Sequence, residues 1–322
     1  MKGFQFRFVL LGLVLSACSQ QNFSLPDQTR DFAQGVKYNN KVDVVMMVDN
    51  STSMSIYQQR LADQIPSMIQ ALNALGMDYH VAIVTTDIRP GGNGGKFIGT
   101  PKYLVSTSGT LVNDLTHRVV AGQDGSTLEQ GLLSVQRALS PSYLSTEGAG
   151  FLRDDAMLAL IFLSNEDDYS PNTVQSYVDF LDQVKKPFAS GARSWVANFI
   201  GVLDMEGDCK SSAEQDYKEP GLRYMSLVGL SQGVQESICQ NNFAKALENV
   251  RVRVSQLMTD FYLDRKPKID TIKVYVNGRE VAKDSVNGWS YDPVKNLIRF
   301  NGTAVPNAND VIKVDFSPEG AT

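Results

Sequence analysis

The chain has 322 residues, 43% of them hydrophobic, and a formal net charge of -5. That length suits one large domain plus something smaller, at the usual ~100 to 200 residues per domain, and the apolar share is ample for a core. A mildly acidic chain without a long basic block lacks the electrostatic footprint of a nucleic-acid binder, and that class is excluded.

Lys2 and Arg7 lead into the apolar run Phe8 to Leu15, which ends in Leu15-Ser16-Ala17-Cys18. The run is too short to span a bilayer as a helix, and small residues precede the expected cut, as in a secretory signal. Leu-Ser-Ala-Cys is similar to a bacterial lipobox. That resemblance implies a signal peptide over residues 1–17, cleavage before Cys18 and acylation of that cysteine. An ordinary signal or an uncleaved anchor is the alternative. Several acyl chains hold far better than the marginal attachment one chain provides. Ser19 after the cysteine is similar to the outer-membrane sorting pattern of Gram-negative bacteria, which implies a lipid-anchored envelope protein on either face of that membrane. Residues 18–40 are then a lipidated tether: Ser19 to Asn40 is polar, without a sustained apolar period. If flexible, its roughly twenty residues span about 25 Å root-mean-square.

From Lys41 the pattern alternates strand and helix, as expected of an α/β sheet with helices on both faces. Val42 to Val48 is an apolar strand run. Leu61, Ile65, Met68, Leu72 and Leu75 recur at helical spacing, and Tyr79 to Thr86 is β-rich. Arg89 to Gly95 is a turn; its glycines lack the Gly-Lys-Ser or Gly-Lys-Thr of a phosphate loop. Tyr103 to Val105 reads as a hairpin edge strand and Leu111 to Val120 as a short helix, with a firmer helix marked by Leu128, Leu132, Val135 and Leu139. Met157 to Leu163 is a continuous apolar run, as a central parallel strand requires. A helix carrying Val174, Tyr177, Val178, Leu181 and Val184 is expected to start through Ser170-Pro171, where proline suits the first turn. Trp195 to Val202 is a strand, Leu222 to Leu230 a helix, Val234 to Ile238 a strand, and Phe243 to Leu257 the last helix.

After Arg265-Lys266-Pro267 come short alternating runs separated by Asn277-Gly278, Asn287-Gly288, Asp292-Pro293 and Asn301-Gly302. Asn-Gly is a strong hairpin signal. Residues 266–318 therefore read as a small all-β module, sandwich-like or a partial barrel, docked on the larger domain because its size is marginal alone. With Cys18 lipidated, Cys209 and Cys239 remain, an even count in an exported chain, and a disulfide between them is the expected use.

Directly after the first strand stands Asp49-Asn50-Ser51-Thr52-Ser53, a D-x-S-x-S run. One carboxylate and two hydroxyls leaving a buried strand offer hard oxygens to a hard cation; the same residue types also cap helices. Strand, motif and following helix together resemble the von Willebrand factor A domain over residues 41–262. The resemblance implies a doubly wound, Rossmann-like and mostly parallel sheet. It also implies a metal-ion-dependent adhesion site in which Ser51 and Ser53 coordinate the ion and Asp49 supports them or binds through water.

Asp124 to Leu132 is similar to the loop and helix start that carry the family's threonine ligand. Counting back from Gly131-Leu132 puts Ser126 there, with Thr127 in reserve; Ser126 to Glu129 also reads as a capping box. Where the family usually places an aspartate after the central strand, this chain has Asn165, a departure that removes a charge. Glu166 or Asp167 compensates in that reading, and Asp87 serves as support or as a turn residue. Asn165 to Ser170, with Ser126 to Leu132, also looks like a subgroup of bacterial A-domain lipoproteins. The implied ion is Mg²⁺, with Mn²⁺ or Ca²⁺ as alternatives. A partner protein's acidic side chain, or a carboxylated polysaccharide, completes its shell in adhesion or envelope-complex assembly.

Gly229-Leu230-Ser231-Gln232-Gly233 matches a nucleophile elbow, but the elbow needs a strand before, a helix after and a later histidine. His80 and His117, the two histidines, both precede it. Binding without catalysis is the expectation. A metal-free structural scaffold and a metal-assisted hydrolase built on Glu166, Asp167 and Asp168 are the alternatives.

Overall fold

The computed structural model describes residues 34–37, 39–187, 193–206, 209–210, 219–306 and 310–320. The signal segment, Cys18 and the first part of the tether lie outside the described residues. Along the chain come β1 (Gln34–Lys37), β2 (Lys41–Val48), α1 (Ser55–Ala74), β3 (Asp78–Thr85), β4 (Leu104–Val105), α2 (Leu111–Val119), α3 (Gly131–Ala138) and α4 (Pro141–Leu144). Then follow β5 (Met157–Ser164), α5 (Val174–Val184), β6 (Trp195–Gly201), α6 (Leu222–Ser231), β7 (Gln235–Ser237) and α7 (Ala244–Thr259). The chain closes with β8 (Asp260–Tyr262), β9 (Lys273–Val276), β10 (Arg279–Val281), β11 (Trp289–Asp292), β12 (Leu297–Phe300) and β13 (Val311–Asp315).

The large sheet has the order β4-β3-β2-β5-β6-β7, parallel except for the antiparallel edge strand β4. Every residue of β5 and β6 is buried, which is why these runs are apolar throughout instead of alternating. Two cores lie on the two faces. Val44, Met46 and Ile161 pack toward α1, α2 and α7, while Val45, Met47 and Phe162 pack toward α3, α5 and α6. Cys209 and Cys239 are joined by a disulfide and buried beside the end of β7. Among the described residues no helix is long and apolar enough to cross a membrane.

The C-terminal strands form two antiparallel sheets, β1-β13-β9-β10 and β11-β12-β8, over a core that includes Val274, Trp289, Ile298 and Val314. Asn277 and Gly278 both hold positive φ in the β9–β10 turn, as a primed hairpin turn demands.

Four boundaries differ from expectation. Residues 34–37 of the expected tether are a strand paired with β13, so the α/β domain is inserted between the first strand of the β-module and the rest. Asp260–Tyr262, expected in the A-type domain, belongs to the module through its pairing with β12. Helix α5 starts at Val174 and not near Pro171, because the Thr173 hydroxyl caps the Ser176 N–H at 3.2 Å. Leu128 precedes α3 and is exposed.

Both chain connections to the module leave the amino-end pole of the large sheet. Residue 40 enters β2 there, and Arg253 near the end of α7 donates to the Gln232 carbonyl just before β7, at 2.6 Å.

Candidate metal centre

The chain leaves β2 toward β3 on one side, while the neighbouring β5 leads to β6 on the other. The crevice beyond their carboxyl ends is the switch point where doubly wound sheets hold ligands. Asp49 follows β2 directly, and its N–H still bonds Leu163 O at 2.9 Å. Its carboxylate is fully buried: Oδ1 accepts from the Ser51 N–H at 2.8 Å and Oδ2 from the Ser164 hydroxyl at 2.7 Å. The turn closed by Asp49 and Ser51 runs into a 3₁₀ turn at Thr52–Met54, which places the Ser51 and Ser53 hydroxyls 3.5 Å apart. Gln58 locks the turn by donating to Asp49 O and to Gly122 O, both at 2.8 Å.

The second loop lies against the first. The Gly125 N–H donates to Asn50 O at 2.9 Å, and a Cβ at Gly125 would come within 2.5 Å of that oxygen, so only glycine fits. Asp87 grips the Arg89 guanidinium twice, at 2.9 and 2.8 Å, and Arg89 reaches Asp124 O at 2.7 Å. Arg89 holds the Asp87 carboxyl below its usual range. Asp87 thus fastens the second loop. Ser126 is buried and accepts from the Leu128 N–H at 3.0 Å, while Thr127 is exposed.

In the third loop, the Asn165 amide nitrogen donates to Ser53 Oγ at 2.9 Å. Asn165 is therefore at the site but turns its nitrogen to Ser53; a half-turn about its last side-chain bond would present oxygen instead. Asp167 is drawn away: its Oδ1 accepts from the Arg223 N–H at 2.8 Å, at the start of α6. Asp168 ties α3 to α6, accepting from the Leu132 N–H at 3.0 Å and from Arg223 Nε at 3.1 Å. The expected set is thus sorted. Asp49, Ser51, Ser53 and Asn165 are bonded to one another directly or through Ser164, Ser126 stands in the adjoining loop, Glu166 is buried nearby, and Asp167 and Asp168 serve the helices.

Glu129 is the residue that sequence reasoning placed elsewhere. Because α3 starts only at Gly131, Glu129 closes no capping box and is instead fully buried. Its backbone is fixed from the third loop by the Tyr169 N–H, which donates to Glu129 O at 2.7 Å. Neither carboxylate oxygen has a hydrogen-bond partner within normal distance among the described residues. Burial, then the negative charges of Asp49 and Glu166, push the Glu129 carboxyl up to about 9. Burial also raises Asp49, against the Ser51 N–H and the Ser164 hydroxyl. Among the described residues no Lys, Arg or His forms an ion pair with either acid; Arg89 feels the charge of Glu129 but is committed to Asp87 and Asp124. The one signal available in the sequence was an acid set between Leu128 and Leu132 beside an expected site loop.

Among the described residues no group of three or more His, Cys, Asp or Glu side chains is arranged to hold a metal ion. A cation at this rim would be held by hydroxyls with one or two carboxylates, a hard-oxygen set that fits Mg²⁺, Mn²⁺ or Ca²⁺. Ser231, in contrast, ends α6 with its hydroxyl accepting from the Ala197 N–H at 3.0 Å; the helix precedes it, as the reversed motif context implied.

No family model and no curated protein matches the chain. Solved structures do. Proximal thread matrix protein 1 from the mussel byssus is similar over 71% of this chain and 51% of its own, at 9% identity and a TM-score of 0.43. The pilus adhesin SpaC from Lactobacillus rhamnosus GG is similar over 87% and 39%, at 10% identity and 0.41. The ArnB paralog VWA2 from Sulfolobus acidocaldarius is similar over 89% and 59%, at 14% identity and 0.36. The chain spans about half the length of the first of these. Similarity of this extent carries no argument about function. What the strand order and connections described above define is the architecture: a doubly wound, mostly parallel α/β domain with a small all-β module.

Proposed function

We propose that this is an envelope-anchored binding protein without catalytic activity, which engages its partner through a divalent cation at the carboxyl rim. Ser51, Ser53, Ser126, Asp49 and Asn165 would hold the ion, Mg²⁺ in the first instance. An acidic side chain of a partner protein, or a carboxylated glycan, would take a remaining position. The observation that carries this reading is the pair of serine hydroxyls 3.5 Å apart beside a fully buried aspartate that has no cationic partner among the described residues. A bound ion held by few charges stays electrophilic and keeps waters that a partner's carboxylate can displace. The chain's own work is to orient the hydroxyls through the Asp49 turn and to keep the floor dry.

The insertion of the domain adds support. Strand β1 pairs with β13 of the module, and the chain passes from β1 into the amino end of β2, so an anchor at Cys18, preceding β1, would join the domain at the end opposite the rim. A metal-free scaffold is favoured by a different observation: Asp49 and Asp168 already tie the three loops through internal hydrogen bonds.

Calorimetric titration of Mg²⁺, Mn²⁺ and Ca²⁺ into the full chain in detergent separates the two. Binding lost in Ser51→Ala is the expected result, and no heat at millimolar metal favours the scaffold. Capture of an acidic envelope partner should disappear with EDTA and in Asp49→Ala; capture that survives both sinks the proposal.

A further inference from the structure

We propose that Glu129 is a direct ligand of the same cation, making the site one of two carboxylates and several hydroxyls. The inference deepens the cation reading and rests on it. Glu129 is fully inaccessible, and neither of its oxygens makes a hydrogen bond of good geometry among the described residues; its polar neighbours are the Thr86 hydroxyl and Asp49. Its carboxylate faces that of Asp49. Two carboxylates buried together cannot both ionise without a counter-charge, so one keeps a proton in the metal-free protein, and a divalent ion between them would take that proton's place.

The backbone on either side is fastened, so the side chain is not there by slack. The Tyr169 N–H holds Glu129 O at 2.7 Å, and the Gln130 N–H holds Thr86 O at 3.3 Å. Among the described residues no protein cation pairs with Glu129: Arg89 commits its Nε and Nη2 to Asp87 and the Asp124 carbonyl. The position also makes chemical sense of Asn165. With an amide at 165 and Asp167 drawn to the start of α6, a carboxylate from another loop can supply the missing charge, and Glu129 enters from the loop that carries Ser126. Two carboxylates match the ion's charge, while the hydroxyls leave it open to a further anionic ligand.

The test is calorimetric titration of Mn²⁺ into the full chain and into Glu129→Gln, beside urea unfolding of both in EDTA. Glu129→Gln should weaken Mn²⁺ binding by at least the ~10- to 100-fold that losing a supporting group costs. Its metal-free stability at pH 7 should equal or exceed the wild type's, since a neutral amide of the same shape replaces a carboxyl that must take up a proton on folding. If Glu129→Gln binds Mn²⁺ as tightly as wild type while Ser51→Ala does not bind it, Glu129 is a buried neutral acid and this inference falls, leaving the cation reading intact. If wild type binds no metal, both fall. Should Glu129→Gln not fold, Glu129→Asp keeps the charge and retracts it by one methylene, and wild-type affinity there overturns the assignment equally.

Discussion

Strand β2 carries two carboxylates, Asp43 near its amino end and Asp49 just past its carboxyl end, and both are fully inaccessible to solvent. Their surroundings differ in one respect, the presence of a counter-charge. Asp43 is matched: the Arg153 N–H donates at 2.7 Å, Arg153 Nε at 2.8 Å, and His80 Nδ1 lies 3.7 Å away. Arg153 then reaches the carbonyls of Val42 and Asp78, both at 3.1 Å, and Lys185 closes the cluster on Arg153 O at 2.7 Å. Asp49 has only a backbone N–H and a hydroxyl, and its charged neighbour is another acid, Glu129. Burial raises both aspartates, but at Asp43 the charge of Arg153 pulls back. Burial of a carboxylate therefore does not by itself single out a site in this molecule; a missing counter-charge is what sets Asp49 apart from Asp43 and supports the cation proposal.

The sharpest way to break that comparison is to remove the counter-charge at the amino pole. Arg153→Ala strips Asp43 of its guanidinium and leaves the buried charge with only a backbone N–H and His80 beside it, and breaking a buried pair in this way costs about 3–5 kcal/mol. Urea unfolding at pH 7 should show a loss of that order with metal binding at the rim unchanged. A loss below about 1 kcal/mol would mean that the cluster is solvated, and the contrast between the poles would collapse.

A smaller effect, per pH unit, should come from the rim without metal. The Glu129 carboxyl is raised from 4.5 to about 9 in the folded chain. Between those values the folded state holds a proton that the unfolded state has lost, so stability is greatest below 4.5 and falls as pH rises toward 9, by at most ~1.4 kcal/mol per unit for one group. In EDTA, unfolding free energy should therefore decline from pH 5 to pH 8, and Glu129→Gln should flatten that decline. Equal slopes in the two proteins would remove Glu129 from the set of buried acids.

Much of this frame was legible in the chain because parallel strands buried on both faces leave continuous apolar runs, and Val44 to Val48 and Met157 to Leu163 could scarcely be anything else. The D-x-S-x-S spacing marked Asp49, and nothing comparable marked Asp43, whose partner Arg153 lies 110 residues away. Strand β1 was illegible for a related reason. Gln34-Gly35-Val36-Lys37 has almost no pattern of its own and exists as a strand through its pairing with β13 at the far end of the chain. Glu129 was misread because Ser126-x-x-Glu129 has the spacing of a capping box; what separates the readings is that α3 begins at Gly131. There a Cβ would collide with the buried Tyr224 hydroxyl, and that contact is tertiary.

The finest test of the contrast is to add charge where the rim lacks it. Asn165→Asp places a third carboxylate among the three loops and removes the amide donor that now bonds Ser53 at 2.9 Å. Without metal the new charge meets Asp49 and Glu129 with no cation to offset it, and stability should fall by about 1 kcal/mol. With metal the same charge adds a ligand oxygen, and Mn²⁺ should bind roughly tenfold tighter, worth ~1.4 kcal/mol. The two effects have opposite sign only if residue 165 faces the ion, so calorimetry and urea unfolding on the same protein give a paired readout. Weaker metal-free stability without any gain in Mn²⁺ affinity would place residue 165 beside the site and not in it, and would leave Asp49 and Glu129 as the rim's two charged ligands.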